Sequence, residues 1–138
     1  IDLFPTVLAA AGARCPNGVP GVNLLENLQK KHPIKRQGIF GESFAHDIAN
    51  LKKPEASLLF RWRIEGKWKL LLTYDGEVNR YQSTHPRTEK RPQLFDLSRD
   101  PHEKTNLALK HPEVVAKMAA KINAWWLVKE RKAITKFN

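Results

Sequence analysis

The chain of 138 residues is long enough for one domain with its own hydrophobic core, and it carries 24 Lys and Arg against 14 Asp and Glu, a formal net charge of +10. This excess makes nucleic acid, acidic polysaccharide and anionic membrane surfaces candidate partners, and a merely solvated basic surface is the simpler alternative. The single cysteine, Cys15, excludes an internal disulfide framework and any zinc site built from several cysteines. No apolar run approaches the roughly 20 residues that span a bilayer, so a membrane-embedded segment is not expected.

The first part of the chain predicts two helices. In "IDLFPTVLAAAGA", Asp2 can cap a helix whose first turn tolerates Pro5 and which Gly12 ends. A Pro- and Gly-rich turn follows, and "VNLLENLQKK" predicts a shorter helical segment before the basic loop that ends at Arg36. Because the chain starts without Met inside a helical pattern, we expect it to be a piece of a longer protein.

From Gly38 onward the pattern predicts strands. "GIFGESF" is typical of a first strand, and "SLLFRWRI" and "WKLLLTY", joined by "EGK", predict a β-hairpin over residues 57–74. After a polar loop, residues 75–92, "PQLFDL" predicts another strand. "HPEVVAKMAAKINAWWLVKERKA" then predicts a long helix. Its apolar stripe consists of Val115, Met118, Ile122 and Trp125. The order predicts an α+β fold, a small antiparallel sheet of about four strands covered by a C-terminal helix.

The stretch "LFDLSRDPHEKTNLA" is dense in groups that could bind a metal or act as acid and base. Asp96, Asp100, His102 and Glu103 lie within eight residues, but their spacing matches neither a calcium loop nor a zinc-binding helix. Asp before Pro favours a bend, and carboxylates there can accept backbone N–H groups. We therefore predict a structural turn, with no catalytic residue and no metal ligand in it.

The strand ends offer candidate substrate-binding residues. Glu42 and His46 lie where the first strand gives way to a loop, and a carboxylate and an imidazole there could hydrogen-bond the hydroxyls of a substrate. Arg61 and Arg63 alternate on one face of the next strand and could pair with sulfate or carboxylate. The alternative for all four residues is a solvated polar face.

The stretch "RWRIEGKWK" interleaves cations with tryptophan, as nucleic-acid stacking surfaces do. In a strand, however, Arg61 and Trp62 point to opposite faces, so Trp62 is expected in the core. Stacking and phosphate contacts would need one shared face. A nucleic-acid partner is therefore not favoured.

Taken together, the motifs resemble a known family. "DLFPTVLAAAGA", "PGVNLL", "IFGE", "RWRIEGKWKLL", "LFDLSRDPHEKTNLA" and a Trp-bearing last helix follow one another as in the C-terminal part of the formylglycine-dependent sulfatases, the arylsulfatase-like members of the alkaline phosphatase superfamily. The resemblance implies that residues 1–37 are the closing helix and linker of a large catalytic α/β domain. Residues 38–138 would form the small C-terminal domain of such a sulfatase.

The family's chemistry uses a cysteine in a Cys-x-Pro-x-Arg motif, converted to formylglycine, and a calcium ion held by aspartates and an asparagine. The resemblance implies both in an N-terminal domain outside this chain, because Cys15 is followed by Pro16, Asn17 and Gly18 and lacks the required arginine. The fragment alone is therefore expected to be inactive. Its implied partners are the missing catalytic domain and a sulfated substrate, including an acidic glycan. Glu42, His46, Arg61 and Arg63 would line one wall of the cleft.

The first helix, the location of the parent enzyme and its function each carry a further expectation. A first helix cut from its large domain would expose Leu3, Phe4, Val7 and Leu8, and we expect either self-association or disorder near the N-terminus. The resemblance implies a periplasmic or secreted parent enzyme. Two other functions remain open at this point: a stand-alone basic module that binds polyanions, and part of a related phosphonate or phosphate monoester hydrolase.

Overall fold

The computed structural model describes residues 1–46, 50–74, 89 and 91–126. Its contacts divide the chain into two compact units, Ile1–Arg36 and Gln37–Asn138. The assignment of the first unit to a larger α/β domain stays a prediction. None of the helices in the described ranges is long and apolar enough to cross a membrane.

The first unit contains two short helices, α1 (Leu3–Ala10) and α2 (Leu24–Lys30). Both helices were predicted, but the expected capping role of Asp2 is wrong, because its side chain makes no cap hydrogen bond. The Asp2 carboxylate instead accepts a bond from the guanidinium of Arg36 and one of 2.9 Å from the backbone N–H of Val22. Both bonds lower the pKa of Asp2, and the bond from Arg36 has the larger effect. The Arg36 bond also connects the last residue of the first unit to its second residue.

The apolar side of α1 has little cover within its own unit. Leu3, Phe4 and Val7 are all largely exposed, whereas Leu8 is half-buried. Exposure was therefore predicted correctly for the first three residues and only in part for Leu8. An apolar strip of this kind is a common site of association.

The second unit is built on an antiparallel sheet. In the described part of the chain it has four strands in sequence order, so each strand pairs with the next. The strands are β1 (Ile39–Phe44), β2 (Leu58–Glu65), β3 (Trp68–Thr73) and β4 (Gln93–Asp96). A short 3-10 helix, Pro54–Ser57, leads into β2. The predicted hairpin is confirmed, and Gly66 takes the positive φ that its tight turn requires.

A helix, α3 (Pro112–Trp125), packs on one face of the sheet and completes the predicted α+β fold, which is confirmed. The core between them is apolar and fully closed. It consists of Leu58, Leu70, Leu72, Tyr74, Leu94, Ala108, Val115, Met118 and Ile122. Three of the four predicted stripe residues of the helix are in this core, and Trp125 is not, since 42% of it is exposed.

Two expectations about this unit are wrong. The alternation along β2 is correct, but the face that carries Arg61 and Arg63 is the buried one, and Trp62 on the opposite face is only half-buried. The last helix was expected to reach well beyond Trp125, yet Trp126 is extended at φ −148° and ψ 108°. The rest of that predicted helix and most of the predicted loop 75–92 lie outside the described residues.

Candidate functional site

The predicted substrate-binding residues come from two neighbouring strands. Glu42 on β1 stands in register with Arg61 on β2, and Phe40 stands in register with Arg63. Glu42 is exposed, as is His46 just after the strand. Glu42 thus lies inside β1, two residues before its end, and His46 lies two residues after that end, with both side chains exposed.

Arg61 belongs to the interior and holds the end of α3. Only 1% of it is exposed. Its guanidinium donates to the Tyr74 hydroxyl at 2.6 Å, the Ile122 carbonyl at 3.2 Å and the Asn123 side-chain oxygen at 2.8 Å, and also to the Trp126 carbonyl. A buried cation at the carboxyl end of a helix satisfies unpaired carbonyls and complements the helix dipole. Arg61 is therefore a structural residue, and the expected contact with a substrate is not carried forward.

Arg63 is also buried, with 4% exposed, but its environment is different. It donates to the Glu65 carboxylate at 2.8 Å and to the Gln37 carbonyl at 3.3 Å, and its guanidinium lies 4.3 Å from the centre of the Phe40 ring. Lys121 on α3 bonds the same Glu65 carboxylate at 2.5 and 2.6 Å. Two cations thus share one carboxylate, and the bonds from Lys121 and then Arg63 lower the pKa of Glu65.

Aromatic rings border this charged group. Trp125 stacks on Phe40 with ring centres 4.8 Å apart and planes 11° from parallel. Trp126 meets Phe44 at 6.1 Å and the edge of Trp125 at 6.5 Å. Stacked aromatic pairs of this kind fix ring orientation as well as burying area. The edge strand and the helix end together present a mixed aromatic and cationic surface.

Sequence reasoning missed Lys121 and Trp125 as members of this surface. A signal was available, because residues four apart on a helix lie on the same face, so Lys121 and Trp125 are neighbours. The apolar stripe instead assigned Trp125 to the core. Trp125 is the last residue of α3, and its side chain lies outside the core formed by the other stripe residues.

In the stretch Leu94–Ala108, the residues that follow β4 form a structural turn, as predicted. Asp100 accepts a bond from the Thr105 backbone N–H at 2.8 Å, and backbone donors of Lys104 and Thr105 lower its pKa. Asn106 accepts from the backbone N–H groups of Leu94 and Ala108, both at 3.0 Å, and closes the turn onto β4. Backbone N–H groups therefore bond the side-chain oxygens of Asp100 and Asn106 and hold the turn closed.

The acidic residues at the two ends of this turn are paired with lysines. Asp96 bonds Lys67 at 2.8 Å and the Ser98 hydroxyl at 2.5 Å, and these contacts lower its pKa to about 2. Glu103 bonds Lys69 at 2.7 and 2.8 Å. These pairs join the turn to β3 and the preceding hairpin turn. They explain the charge density without a ligand.

The described residues do not fit the calcium and formylglycine that the family resemblance implies. Within the described ranges, no group of three or more His, Cys, Asp or Glu side chains is arranged to hold a metal ion. Cys15 is half-buried, and the positions after it lack the arginine of the modification motif. No step of sulfate chemistry is therefore assigned to these residues.

Comparison with known proteins gives relatives of one kind, although no protein-family model matches. Arylsulfatase K of Canis lupus familiaris is 31% identical over 125 residues, which cover 90% of this chain and 21% of the relative. Arylsulfatase K of Homo sapiens is 27% identical over 128 residues with the same coverage. An N-acetylgalactosamine-6-O-sulfatase of Bacteroides thetaiotaomicron is 39% identical over 57 residues, 41% of this chain and 11% of the relative.

Solved structures share the fold. One, from work on the metabolism of multiple glycosaminoglycans by Bacteroides thetaiotaomicron, matches with a TM-score of 0.60 and 27% identity over 90% of this chain and 24% of its own. Another, in complex with its substrate D-glucosamine-2-N,6-O-disulfate, matches with a TM-score of 0.61 over 90% of this chain and 23% of its own; at 17% identity it supports the fold alone.

Agreement of sequence and fold over nine tenths of the chain defines its class, a sulfatase-related segment. More narrowly, the chain corresponds to the C-terminal region of an arylsulfatase-like sulfatase. It spans about a fifth of the length of the arylsulfatases K that it matches, 21% in the canine and human proteins.

Proposed function

We propose that the protein containing this chain hydrolyses sulfate esters, and that the chain supplies a structural domain and one wall of the substrate cleft. The observation that carries the proposal is the 31% identity to an arylsulfatase over 90% of the chain. The basic composition fits an anionic substrate, because a net charge of +10 attracts polyanions before any specific contact forms.

The proposed wall consists of Glu42 and His46. Both are exposed at the end of the edge strand β1, where a ligand can reach them. A carboxylate accepts hydrogen bonds from sugar hydroxyls, and an imidazole can donate or accept one. Arg61 is left out of the proposed wall, because it is buried and makes four bonds within the chain. Arg63 is buried too and borders a different groove.

The nucleophile and the metal are proposed to come from another part of the protein. Formylglycine would supply the attacking oxygen and calcium would neutralise the sulfate oxygens, as the family resemblance implies. The residues of this chain would bind and orient the part of the substrate that carries no reacting sulfate. On this account the isolated chain has no hydrolytic activity.

The substrate is proposed to be a sulfated sugar within an acidic glycan. One of the similar proteins is named for a sulfated amino sugar, N-acetylgalactosamine-6-O-sulfatase, and a solved structure of 27% identity comes from work on the metabolism of glycosaminoglycans. A periplasmic or secreted location is proposed with it, because extracellular glycans would then reach the enzyme directly.

The test measures hydrolysis by the intact gene product with sulfated oligosaccharides and with a small aryl sulfate, and a phosphate monoester serves as the third substrate. We expect sulfate release from the first two. Glu42→Gln and His46→Ala should raise KM for the oligosaccharide about tenfold, which corresponds to one or two lost hydrogen bonds. KM for the aryl sulfate should not change.

Glu113→Gln is the matched control, since Glu113 is exposed on the first turn of α3. If phosphate release exceeds sulfate release, the related phosphomonoester hydrolase replaces the proposal. If all variants retain the parental KM for the oligosaccharide, Glu42 and His46 do not form a wall of the cleft.

A further inference from the structure

A groove of about 400 Å³ lies between the start of β1 and the last turn of α3. We call it the Trp125 groove and define it by its main lining residues. These are Gly38, Phe40, Arg63, Lys121, Ala124 and Trp125. The groove is distinct from the exposed end of β1 that carries Glu42 and His46, because it opens at the beginning of that strand.

The aromatic wall of the groove is fixed in place. Phe40 stacks against Trp125 at 4.8 Å and nearly parallel, so the indole orientation is set by β1 rather than by solvent. Even so, 42% of Trp125 remains exposed. A half-exposed indole held by a second ring offers a flat apolar surface on which the C–H face of a sugar can pack.

The cationic wall of the groove, Arg63 and Lys121, carries more positive charge than its one acidic partner neutralises. Arg63 and Lys121 share the single carboxylate of Glu65. The two positive charges and one negative charge leave a net charge of +1 at the wall. An anion is the occupant that such a wall complements.

Arg63 also has donors to spare for a ligand. It is 4% exposed, and among the described residues its protein hydrogen bonds use one donor toward Glu65 and one toward the Gln37 carbonyl. A guanidinium carries five N–H donors, and a buried donor without a partner is costly. A carboxylate or sulfate oxygen in the groove would satisfy the remaining donors.

Gly38 makes the close approach of this arginine possible. A Cβ at that position would lie 2.8 Å from the guanidinium carbon of Arg63 and 2.6 Å from the Ile64 carbonyl oxygen. Absence of a side chain there lets the guanidinium lie against the backbone at the floor of the groove. The arginine is thus held in place before a ligand arrives, which lowers the cost of ordering it.

We propose that the Trp125 groove binds one saccharide unit of an anionic glycan, with the sugar ring against Trp125 and its carboxylate or sulfate group at Arg63 and Lys121. The inference takes its ligand class from the proposed function. The groove would lengthen the stretch of polymer that this chain contacts. Residues 127–138 are rich in Lys and Arg, so their charge does not complement the same wall.

The test is binding by the full 138-residue chain, measured calorimetrically at low and high salt, with three probes. A heparin-derived tetrasaccharide supplies rings and anions, maltotetraose supplies rings alone, and inorganic sulfate supplies the anion alone. We expect the heparin tetrasaccharide to bind best. Lys121→Met and Trp125→Ala should each weaken it about tenfold, the size of one lost ion pair or one lost stacking contact.

Control variants distinguish specific binding in the Trp125 groove from nonspecific electrostatic binding to the basic surface. Lys117→Met removes the same charge from an exposed position of α3, and Leu109→Ala removes an exposed apolar side chain. Both should stay within about twofold of the parent chain, because neither residue lines the groove. Equal weakening by Lys117→Met and Lys121→Met would overturn the proposal in favour of a diffuse basic surface.

A second measurement uses the parent chain, so the proposal stays testable if Trp125→Ala does not fold. The indole N–H resonance of Trp125 should shift during titration with the heparin tetrasaccharide. An unshifted resonance overturns the proposal, and so does inorganic sulfate that binds as tightly as the tetrasaccharide. Sulfate-ester hydrolysis by the intact gene product is scored separately, so failure of binding and failure of the proposed activity are distinguishable.

Discussion

The Arg61 guanidinium lies 3.2 Å from the carbonyl oxygen of Ile122, and this bond connects the middle of the sheet to the last turn of the covering helix. Further donation to the carbonyl of Trp126 places the same cation at the point where the helix ends. Most helices use a glycine or solvent to satisfy their last carbonyls. Here a buried arginine from β2 does so, and the helix end depends on a residue 61 positions earlier.

Replacement of Arg61 should therefore loosen the second unit. Arg61→Met keeps the volume but leaves the carbonyl groups of the helix end without their donor, and we expect a loss of about 3 kcal/mol in the free energy of unfolding. Arg61→Lys should recover part of it. Urea unfolding followed by circular dichroism measures the change. Arg99→Met, an exposed position in the turn after β4, is the control and should change stability little; equal effects would contradict the capping role.

The pairing of Asp96 with Lys67 predicts a loss of stability in acid. Lys67 and then Ser98 lower the folded-state pKa of Asp96 from an ordinary 3.8 to about 2. A group with a lowered folded-state pKa stabilises the fold above its unfolded-state pKa, and this contribution is lost as the pH falls from about 4 to about 2. As the pH is lowered over this range, the urea concentration at the midpoint of unfolding should fall less steeply for Asp96→Asn than for the parent chain. Glu113→Gln should retain the parental slope; a slope unchanged by Asp96→Asn would show that this pair is not coupled to folding.

Gly41 is required by the ring of Trp62 on the neighbouring strand. The two residues are paired in register, and a Cβ at Gly41 would lie 2.2 Å from the indole. Gly41→Ala should therefore cost about 1–3 kcal/mol through overpacking. Thermal unfolding measures it, with Ser43→Ala on the same strand as the control. In a double-mutant cycle, Trp62→Leu should remove most of the cost of the alanine, and full additivity would rule out the steric explanation.

The exposed face of α1 predicts self-association of the isolated chain. Leu3, Phe4 and Val7 present an apolar strip, and association would remove it from water. Sedimentation velocity over a range of concentrations should show dimers or larger species. Val7→Glu should shift the distribution toward monomer, whereas Leu51→Glu, at an even more exposed apolar site outside α1, should not. A parent chain that stays monomeric at high concentration would contradict this prediction.

Much of the fold could be predicted from the sequence, because the patterns that determine its hairpin and its last helix lie within short stretches of the chain. Alternation over Leu58–Glu65, a glycine turn and the apolar stretch Trp68–Thr73 predict a hairpin almost without tertiary information. The helix beginning at Pro112 was equally clear. These elements depend on periodicity and turn chemistry, and both are properties of short stretches.

The burial of Arg61 and Arg63 could not be predicted from such local patterns. Alternation shows that two sets of side chains face opposite sides, but it does not show which side receives the helix. Two arginines argue for the exposed side unless partners are known. Those partners include Tyr74 and the helix end near Ile122, far away in sequence. The helical pattern of the sequence continued past Trp125, whereas α3 ends there, beside the Trp126 carbonyl to which Arg61 donates.

The candidate site was predicted in part. Glu42 and His46 are exposed at a strand end as the sequence indicated, and their contact with substrate stays a prediction. The Trp125 groove requires β1, β2 and α3 to be brought together. The charge density at Asp96–Glu103 was interpreted as part of a structural turn, and the structure shows these groups bonding within that turn and to β3 and its hairpin turn.

The most direct test of the central claim compares sulfate release by the intact gene product and by the isolated 138-residue chain, each with calcium, on a sulfated oligosaccharide and on an aryl sulfate. We expect turnover by the intact protein and none by the isolated chain, because the described residues hold neither a metal cluster nor the modifiable cysteine motif. Sulfate release by the isolated chain, or none by a folded intact protein that carries formylglycine, would contradict it.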